Sequence, residues 1–217
     1  MGFLQRQMAR NYDRAMATYE HQAIARRKAL LGAIPHGARV LELGPGTGVN
    51  LMHLARAGRS DITWCGIEPS PPMRALLEQK AQAAGLAPDQ LHFAELAPSG
   101  KLEVGTGSAD VVLSTLVLCS VPDPARTLSE IHRCLAPGGQ FLFMEHVAAT
   151  EGTWTRRLQG ALTPLWSIVA DGCCLNRDTG GAIRRAGFES VQLDEYSMPP
   201  RGVPFLVRPH VAGCARR

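Results

Sequence analysis

A strand that runs directly into a glycine-rich turn and then into a helix limits the fold of this chain more than any other feature. Residues 40–43 have the apolar pattern of a strand, residues 44–48 contain three glycines, and the apolar positions up to Leu54 predict the helix. Glycine lets the backbone turn sharply and lets a ligand lie against the main chain, while the first turn of a helix offers unpaired N–H groups. We therefore expect a βα unit that binds a nucleotide-like cofactor.

The same alternation of strand and helix continues along the chain. Further strands are predicted at residues 63–67, 91–94, 109–118, 140–147, 191–196 and 205–214. Helices are predicted near residues 71–80, 124–135 and 179–186, and the turn Pro137-Gly138-Gly139 precedes the fifth strand. This pattern is typical of the α/β class, with a doubly wound, mostly parallel sheet and helices on both of its faces.

The length of 217 residues and the 45% apolar composition fit one α/β domain with a substantial core. Residues 1–36 are predicted to form a helical cap, because one helical stripe carries the residues Leu4, Met8, Tyr12, Met16 and Tyr19. We expect this helix to pack over the domain; covering the active site or lying on a membrane surface are the alternatives. Residues 37–217 form the main domain, whose irregular segment at about residues 150–178 is a natural substrate lid.

The charge and hydropathy patterns bear on partners and location. The net charge is +4 and the basic residues are scattered, so the longest cluster, Arg26-Arg27-Lys28, is interpreted as a solvated helix face and no nucleic-acid partner is predicted. No segment approaches the roughly 18 uninterrupted apolar residues of a membrane-spanning helix, and no signal peptide is recognisable. We expect a cytoplasmic protein, with weak peripheral membrane association left open. The sequence leaves the oligomeric state open.

The six cysteines contain no C-x-x-C pair, and most lie among apolar or small residues. A reducing compartment is the simpler interpretation, and the sequence predicts no metal site. Buried packing is the expected role of Cys119 and Cys173, with chemical reactivity as the alternative.

Two acidic residues add chemistry to the glycine turn. Glu68 ends the second strand about twenty residues beyond the turn, which is where a carboxylate accepts hydrogen bonds from ribose hydroxyls. Glu42 brings negative charge near a cationic ligand, directly or through the amides of the turn, and so favours a sulfonium over the pyrophosphate of NAD. Val49 stands where the dinucleotide fingerprint requires Gly or Ala, which also disfavours NAD.

The whole pattern resembles that of the class I S-adenosylmethionine-dependent methyltransferases. The resemblance implies a Rossmann-like fold with a seven-stranded, mostly parallel sheet, and S-adenosyl-L-methionine as the cofactor. It places the glycines beside the methionine portion and Glu68 at the ribose. It also places Pro69 and Met73 along the adenine, Glu95 near the adenine amine, and Thr115 and Leu116 near the sulfonium. The predicted cofactor-binding residues are Tyr19, Glu42, Gly44, Gly46, Gly48, Asn50, Glu68, Pro69, Met73, Glu95, Leu96, Thr115 and Leu116.

A narrower resemblance lies in the C-terminal half. The matching segments are residues 115–121, 143–149, 153–154, 171–175 and 207–210, which look like the methyltransferase-like alkyl-thiol S-methyltransferases. That resemblance implies a small-molecule acceptor, an alkyl thiol. An N- or O-methyltransferase acting on a phospholipid or a specialised metabolite is the alternative, and a non-catalytic cofactor-binding module is the third possibility. The hydrophobic membrane-anchoring segment of the animal members is not matched here. We therefore do not extend their residence in the endoplasmic reticulum or lipid droplets to this chain.

The candidate catalytic residues follow from the chemistry of a thiol acceptor. Methyl transfer from a sulfonium needs alignment more than acid catalysis, and a thiol reacts as its thiolate. A cationic or hydrogen-bonding neighbour therefore helps, and the candidates are His146, Arg208 and His210, with Asp171 orienting one of them or holding its loop. Each has a structural alternative: His146 follows a strand that it can cap, and Arg208 and His210 are expected in an edge strand.

Overall fold

The computed structural model describes the backbone of residues 3–217 and the side chains from residue 11 onward. The side chains of Leu4 and Met8, which begin the predicted apolar stripe, lie outside the described residues. The helices are α1 (Phe3–Gly32), α2 (Val49–Arg56), α3 (Pro71–Ala83), α4 (Pro124–Cys134), α5 (Trp154–Val169) and α6 (Thr179–Arg184). The strands are β1 (Arg39–Leu43), β2 (Thr63–Ile67), β3 (His92–Phe93), β4 (Ala109–Thr115), β5 (Leu135–His146), β6 (Ser190–Ser197) and β7 (Pro209–Arg216).

The seven strands form one sheet in the order β3-β2-β1-β4-β5-β7-β6. Strands β1 to β5 pair in parallel, whereas β7 is antiparallel to both β5 and β6. Connections leave β1 and β4 in opposite directions, so these two strands flank the switch point at which α/β sheets bind ligands. The predicted α/β fold, with its seven-stranded, mostly parallel sheet, is confirmed.

The core divides into two clusters, one on each face of the sheet. Alternate residues of the central strands separate between them, as Val111 and Leu113 belong to the first cluster and Val112 to the second. The first cluster includes apolar residues of α1, α2 and α3, and the second includes residues of α4 and α6. Strands covered on both faces must be apolar throughout, which explains the continuous Val and Leu run of β4.

The N-terminal helix shares this core. Its buried residues recur at helical spacing, with Tyr19, Ala23, Arg27 and Leu30 all on the covered side. The interpretation of the basic cluster as a solvated face is therefore wrong for Arg27, whose residue exposure is 2%. Over residues 3–217, no helix combines the length and the apolar character that crossing a membrane requires.

Three strand boundaries differ from the sequence prediction by three residues or more. Strand β4 ends at Thr115 instead of continuing to residue 118, because Leu116 adopts a left-handed conformation with φ of 60°. The turn Pro137-Gly138-Gly139 lies within β5, at a shift of register between Ala109 and Val111 of β4. The last predicted strand begins late, because Phe205–Val207 is a 3-10 turn.

Strand β7 is not an edge strand. It lies between β5 and β6, so the expectation that Arg208 and His210 belong to an edge strand is wrong. His210 pairs with His146 on one side and with Tyr196 on the other, and it is 2% exposed. His210 lies in the sheet interior because β6 and β7 form an antiparallel hairpin whose second strand pairs with β5. Local sequence patterns do not predict this strand order.

The segment predicted to be irregular contains the 16-residue helix α5. Thr153 begins it by accepting a hydrogen bond from the backbone N–H of Arg156, at 3.2 Å. Leu158, Leu162 and Leu165 recur at helical spacing, and the helix continues through Pro164. The expectation of an irregular segment was therefore wrong, although a lid role for this segment stays a prediction.

Candidate functional site

The glycine turn between β1 and α2 presents its backbone to an open space. Gly44, Gly46 and Gly48 have φ of 52°, 57° and 83°, the left-handed region that glycine adopts without strain. A Cβ on Gly44 would come within 2.7 Å of Val117, so close packing also demands glycine there. Among the residues whose side chains are described, a Cβ on Gly46 would meet nothing within 4 Å, so this residue borders space that those side chains leave unfilled.

Glu68 closes one side of that space. Its carboxylate accepts hydrogen bonds from the backbone N–H groups of Gly46 and Ser70, each at 2.8 Å. Burial raises the pKa of Glu68, and the two amides counteract part of that rise. The acid predicted to hold a ribose is thus fixed directly to the glycine turn.

Glu42 has a different environment, because it is completely enclosed. Asn50 and Trp64 each donate a hydrogen bond of 2.8 Å to its carboxylate. Desolvation raises its pKa despite these donors. Asn50 also donates to the hydroxyl of Thr115 at 3.0 Å, so the end of β1, the start of α2 and the end of β4 are joined by one polar network.

Arg27 completes this network, and the sequence analysis missed it. Its guanidinium donates to the side-chain oxygen of Asn50 and forms an ion pair of 2.8 Å with Glu20. Its Nε and the second oxygen of Glu20 have no hydrogen-bond partner within the described residues. The available signal was its place in the buried stripe of α1, four residues after Ala23.

The same helix lies over the glycine turn. The Thr47 hydroxyl donates to Asp13 of α1 at 2.6 Å, and Lys80 of α3 forms an ion pair with the same carboxylate. These contacts lower the pKa of Asp13, through the hydrogen bonds from Lys80 and Thr47, although burial opposes them. The helix therefore packs over the domain and also covers part of the site.

The residues predicted to surround the adenine lie beyond Glu68. Pro69 is exposed and Met73 is partly buried at the start of α3. Glu95 is exposed and forms an ion pair of 3.2 Å with Arg74. Leu96, which is 42% exposed, forms an isolated antiparallel bridge with Leu102. The structure places these four residues at the β2 and β3 side of the sheet, and their contacts with a ligand stay predictions.

A buried carboxylate shapes the loop that follows β4. Glu145 of β5 accepts hydrogen bonds from the Ser114 hydroxyl at 2.6 Å and from the backbone N–H groups of Val117 and Leu118 at 2.9 and 3.1 Å. Burial raises its pKa to about 8. These bonds hold Leu116 in its left-handed conformation, which a non-glycine residue adopts only under such constraint. The signal for Glu145 was a charged residue inside an otherwise apolar strand.

His210 and Tyr19 form a buried pair. The Tyr19 hydroxyl lies 3.1 Å from Nε2 of His210, and Nδ1 of that ring lies 2.9 Å from the carbonyl oxygen of Arg208. Because Nδ1 must donate to the carbonyl, Nε2 accepts from the tyrosine. Burial lowers the pKa of His210 to about 4 and raises that of Tyr19 well above its ordinary value. The predicted cofactor residue Tyr19 thus contacts a predicted catalytic one.

Arg208 itself is occupied by the main chain. Its guanidinium donates to the carbonyl oxygens of Val203 and Pro200, each at 2.9 Å. Asp171 is exposed, with φ of 48°, in the loop after α5. A role for either residue at the acceptor stays a prediction.

His146 meets two thiols at the end of β5. Its Nδ1 lies 3.7 Å from Sγ of Cys173, and Cys119 is close to both. A hydrogen bond from the Cys119 thiol, together with His146, lowers the pKa of Cys173, while the pKa of Cys119 is raised. Nε2 of His146 is buried and has no hydrogen-bond partner among the side chains from residue 11 onward or the described backbone. The two cysteines were expected to be packing residues, but both also lie close to the imidazole of His146.

The geometry of the glycine turn and its two acids fits S-adenosyl-L-methionine. The open face of Gly46 leaves room for a ligand against the main chain, and the acids Glu42 and Glu68 lie on either side of the turn. Both acids are held by donors that fix their orientation, as a binding site for a cationic nucleoside requires.

Comparison with known proteins identifies the class. The sequence profile of the methyltransferase domain matches residues 8–193, so the chain belongs to that family and is an S-adenosyl-L-methionine-dependent methyltransferase. Thiol S-methyltransferase TMT1A of Homo sapiens is 37% identical over 206 residues, and TMT1B of Homo sapiens is 34% identical over 203 residues. Each alignment covers 94% of this chain and 80% of the relative.

The solved structures agree on the fold. A SAM-dependent methyltransferase from Thermotoga maritima superposes with a TM-score of 0.68 at 19% identity, covering 100% of this chain and 99% of that one. At this level of identity the likeness concerns the fold alone. The predicted class I methyltransferase fold and the predicted cofactor are confirmed.

Proposed function

We propose that this methyltransferase transfers the methyl group to the sulfur of a small alkyl thiol. The likeness to the two human thiol S-methyltransferases, which extends over nearly the whole chain, carries the proposal. The side chains that meet at the end of β5 support it, because a partly enclosed group of one imidazole and two cysteine sulfurs suits a sulfur acceptor.

The residues around the glycine turn would hold the methyl donor. Gly44, Gly46 and Gly48 would let its amino-acid portion lie against the backbone, and Glu68 would accept hydrogen bonds from its ribose. S-adenosyl-L-methionine supplies an electrophilic methyl group on a sulfonium. Glu42 would act on the cationic end through Asn50 and the turn, since both of its oxygens already accept hydrogen bonds from neighbouring side chains.

The remaining cofactor residues follow from their positions. Thr115 ends β4 and Leu116 follows it, beside the switch point, so we assign both to the neighbourhood of the reacting methyl group. Pro69 and Met73 would contact the adenine, with Glu95 and Leu96 farther along the same side. Tyr19 would act indirectly, because its hydroxyl contacts His210.

His146 is the histidine that we propose acts on the acceptor. His210 has both ring nitrogens engaged, by Tyr19 and by the Arg208 carbonyl, so it is a positioning residue. His146 keeps one nitrogen without a hydrogen-bond partner. Arg208 would hold the turn before β7, and Asp171 would hold the loop that carries Cys173.

Helix α5 would cover the acceptor, and this is the proposed lid. Several of its apolar residues are exposed, among them Leu165 at 65% and Ile168 at 73%. An apolar cover fits an alkyl substituent on the acceptor. The six free thiols fit a reducing compartment, so we propose that the protein acts in the cytoplasm.

The test is a methyl-label assay with the purified chain against alkyl thiols, hydrogen sulfide, phosphatidylethanolamine and phenols. We expect label in alkyl thioethers, and Glu68→Ala serves as the control that loses label through weaker donor binding. Strong labelling of the lipid or the phenols, with none of the thiols, would contradict the proposal and favour the N- or O-methyltransferase alternative.

A further inference from the structure

Three side chains from separate parts of the chain meet at the carboxyl edge of the sheet. They are Cys119 from the loop after β4, His146 from the end of β5 and Cys173 from the loop between α5 and α6; we name them the Cys-His-Cys cluster. One ligand atom from each lies within 4.8 Å of those of the other two, and Sγ of Cys173 is 3.7 Å from Nδ1 of His146. Two ligands of one tetrahedral ion are separated by about 3.5–3.8 Å, given bond lengths of about 2.0–2.3 Å.

The backbone around the cluster is held in place. The N–H of Cys174 donates to the carbonyl oxygen of Cys119 at 2.9 Å, which joins two of the three segments. Arg177 donates to the carbonyl oxygens of Leu118 and Val121, each at 2.7 Å. The three ligands are therefore positioned by contacts that do not involve their own side chains, as a preorganised site requires.

The imidazole of His146 is uncommitted, in contrast to that of His210. His146 is 3% exposed, yet neither ring nitrogen contacts a backbone carbonyl or a carboxylate of the described residues. Nδ1 faces the sulfur of Cys173, and Nε2 has no hydrogen-bond partner in the part of the chain that the structure describes. A buried imidazole without a hydrogen-bond acceptor is available as a ligand, and it stands beside two sulfur donors.

We propose that Cys119, His146 and Cys173 bind one Zn²⁺ ion whose fourth position takes the sulfur of the methyl acceptor; the role at the acceptor rests on the proposed function. Two thiolates and an imidazole are ligands typical of zinc, and three protein ligands with an open position characterise catalytic zinc sites. No metal site was predicted from the sequence, because it contains no closely spaced ligand pair such as C-x-x-C. The three proposed ligands are at least 27 residues apart along the chain.

The location suits this chemistry. Sγ of Cys119 lies 3.7 Å from the carbonyl oxygen of Leu116, the residue that we place near the methyl group. The acceptor R–SH binds as R–S⁻ and its proton passes to water. The S–CH₃ bond then forms with an electron pair of that sulfur, and the CH₃–S⁺ bond of the donor breaks, which leaves the donor sulfur neutral. The thioether product carries no charge and leaves the ion.

The test measures metal on the full chain, purified in a thiol reductant without chelator. Zinc content is determined by plasma mass spectrometry, and Co²⁺ replaces zinc so that thiolate ligation is visible as a charge-transfer band. Cys119→Ala and Cys173→Ala are compared with the control Cys174→Ala, whose sulfur contacts Arg177 at 3.4 Å and lies outside the cluster. Binding of S-adenosylhomocysteine shows that each variant is folded.

We expect one zinc per chain in the wild type and in Cys174→Ala, and zinc affinity weaker by at least about tenfold in the other two. Fully reduced wild type that binds neither ion with defined stoichiometry would overturn the proposal, as would a Cys119–Cys173 disulfide in place of bound metal. Metal-free protein that methylates thiols at the full rate would overturn the role of zinc and leave the proposed function standing. Stoichiometric zinc without methylation of any thiol would leave the zinc site standing, but it would overturn the proposed function and with it the role of zinc at the acceptor.

Discussion

The two halves of the sheet's carboxyl edge are built from different chemistry. Around β1 and β2 the site consists of charged groups, with Glu42, Glu68 and Arg27 held by amides and side chains. Around β5 and β7 it consists of two histidine rings and the sulfurs of two cysteines, and burial lowers the pKa of His210 to about 4. The first region suits a charged nucleoside and the second a sulfur acceptor, so one edge separates donor binding from acceptor binding.

The largest expected effect tests how far the charged region depends on its buried cation. Arg27→Met leaves Glu20 without its partner and removes a donor from Asn50, which should lower the free energy of unfolding by about 3 kcal/mol. Arg26→Met is the matched control, because its ion pair with Asp194 has side-chain exposures of 44% and 61%. We expect less than about 1 kcal/mol there. Equal losses in urea titrations of the two variants would show that burial of Arg27 is immaterial.

The next effect concerns the space at the glycine turn. Gly46→Ala puts a methyl group where we place the cofactor, and overpacking of this kind should cost about 1–3 kcal/mol of S-adenosylhomocysteine binding in calorimetry. Gly58→Ala is the control, since Gly58 also has a left-handed φ, of 71°, and open space around its Cα. Both substitutions strain the backbone, because both glycines have a left-handed φ. Only Gly46→Ala also fills the space where we place the cofactor, so only this variant should lose affinity for S-adenosylhomocysteine. Similar affinity in the two variants would place the cofactor elsewhere.

Glu68 tests the ribose assignment. Glu68→Ala should weaken cofactor binding by roughly 1–3 kcal/mol, the range for losing hydrogen bonds to a charged group. Glu78→Ala changes another acid on the same side, one that is half exposed and paired with Arg74, and should leave binding unaltered. Unchanged affinity in Glu68→Ala would remove the ribose contact from the account.

The last effect, the smallest when taken over one pH unit, probes the region around β5 and β7 through pH. The folded chain resists protonation of His210 until about pH 4, while the unfolded chain accepts that proton near pH 6.5. Stability should therefore fall as the pH falls from 6.5 to 4, by up to about 1.4 kcal/mol per pH unit from this group. Tyr19, Tyr196 and His146 are the titratable groups against the ring. His210→Gln should remove that share of the slope, and an unchanged slope would argue against a neutral His210.

The charged half was the more predictable from sequence. The glycines, Glu42 and Glu68 are consecutive with strand ends, so local patterns reveal them and the topology of parallel strands brings them together. Arg27 escaped because its charge suggested solvent, although its spacing from Ala23 placed it in the buried stripe. A basic residue on a covered helix face is found only when burial is weighed against charge.

The half of the edge around β5 and β7 depends on contacts between distant segments. His146, Cys173 and His210 meet through β5, β7 and the loop after α5, and the order of β6 and β7 in the sheet decides which residues face each other. Helix α5 also continues through Pro164, a residue that argues against a helix at that position. Long-range pairing of this kind leaves little trace in local periodicity, so the acceptor side was predicted as separate residues instead of a cluster.

The separation of donor and acceptor regions is tested most directly by measuring S-adenosylhomocysteine affinity and alkyl-thiol methylation in Gly46→Ala and His146→Ala side by side. We expect Gly46→Ala to lose affinity, and His146→Ala to bind the product nucleoside as the wild type does while losing most of its thiol turnover. Loss of nucleoside affinity in both variants, or wild-type thiol turnover in His146→Ala, would contradict the division of this edge into two functional regions.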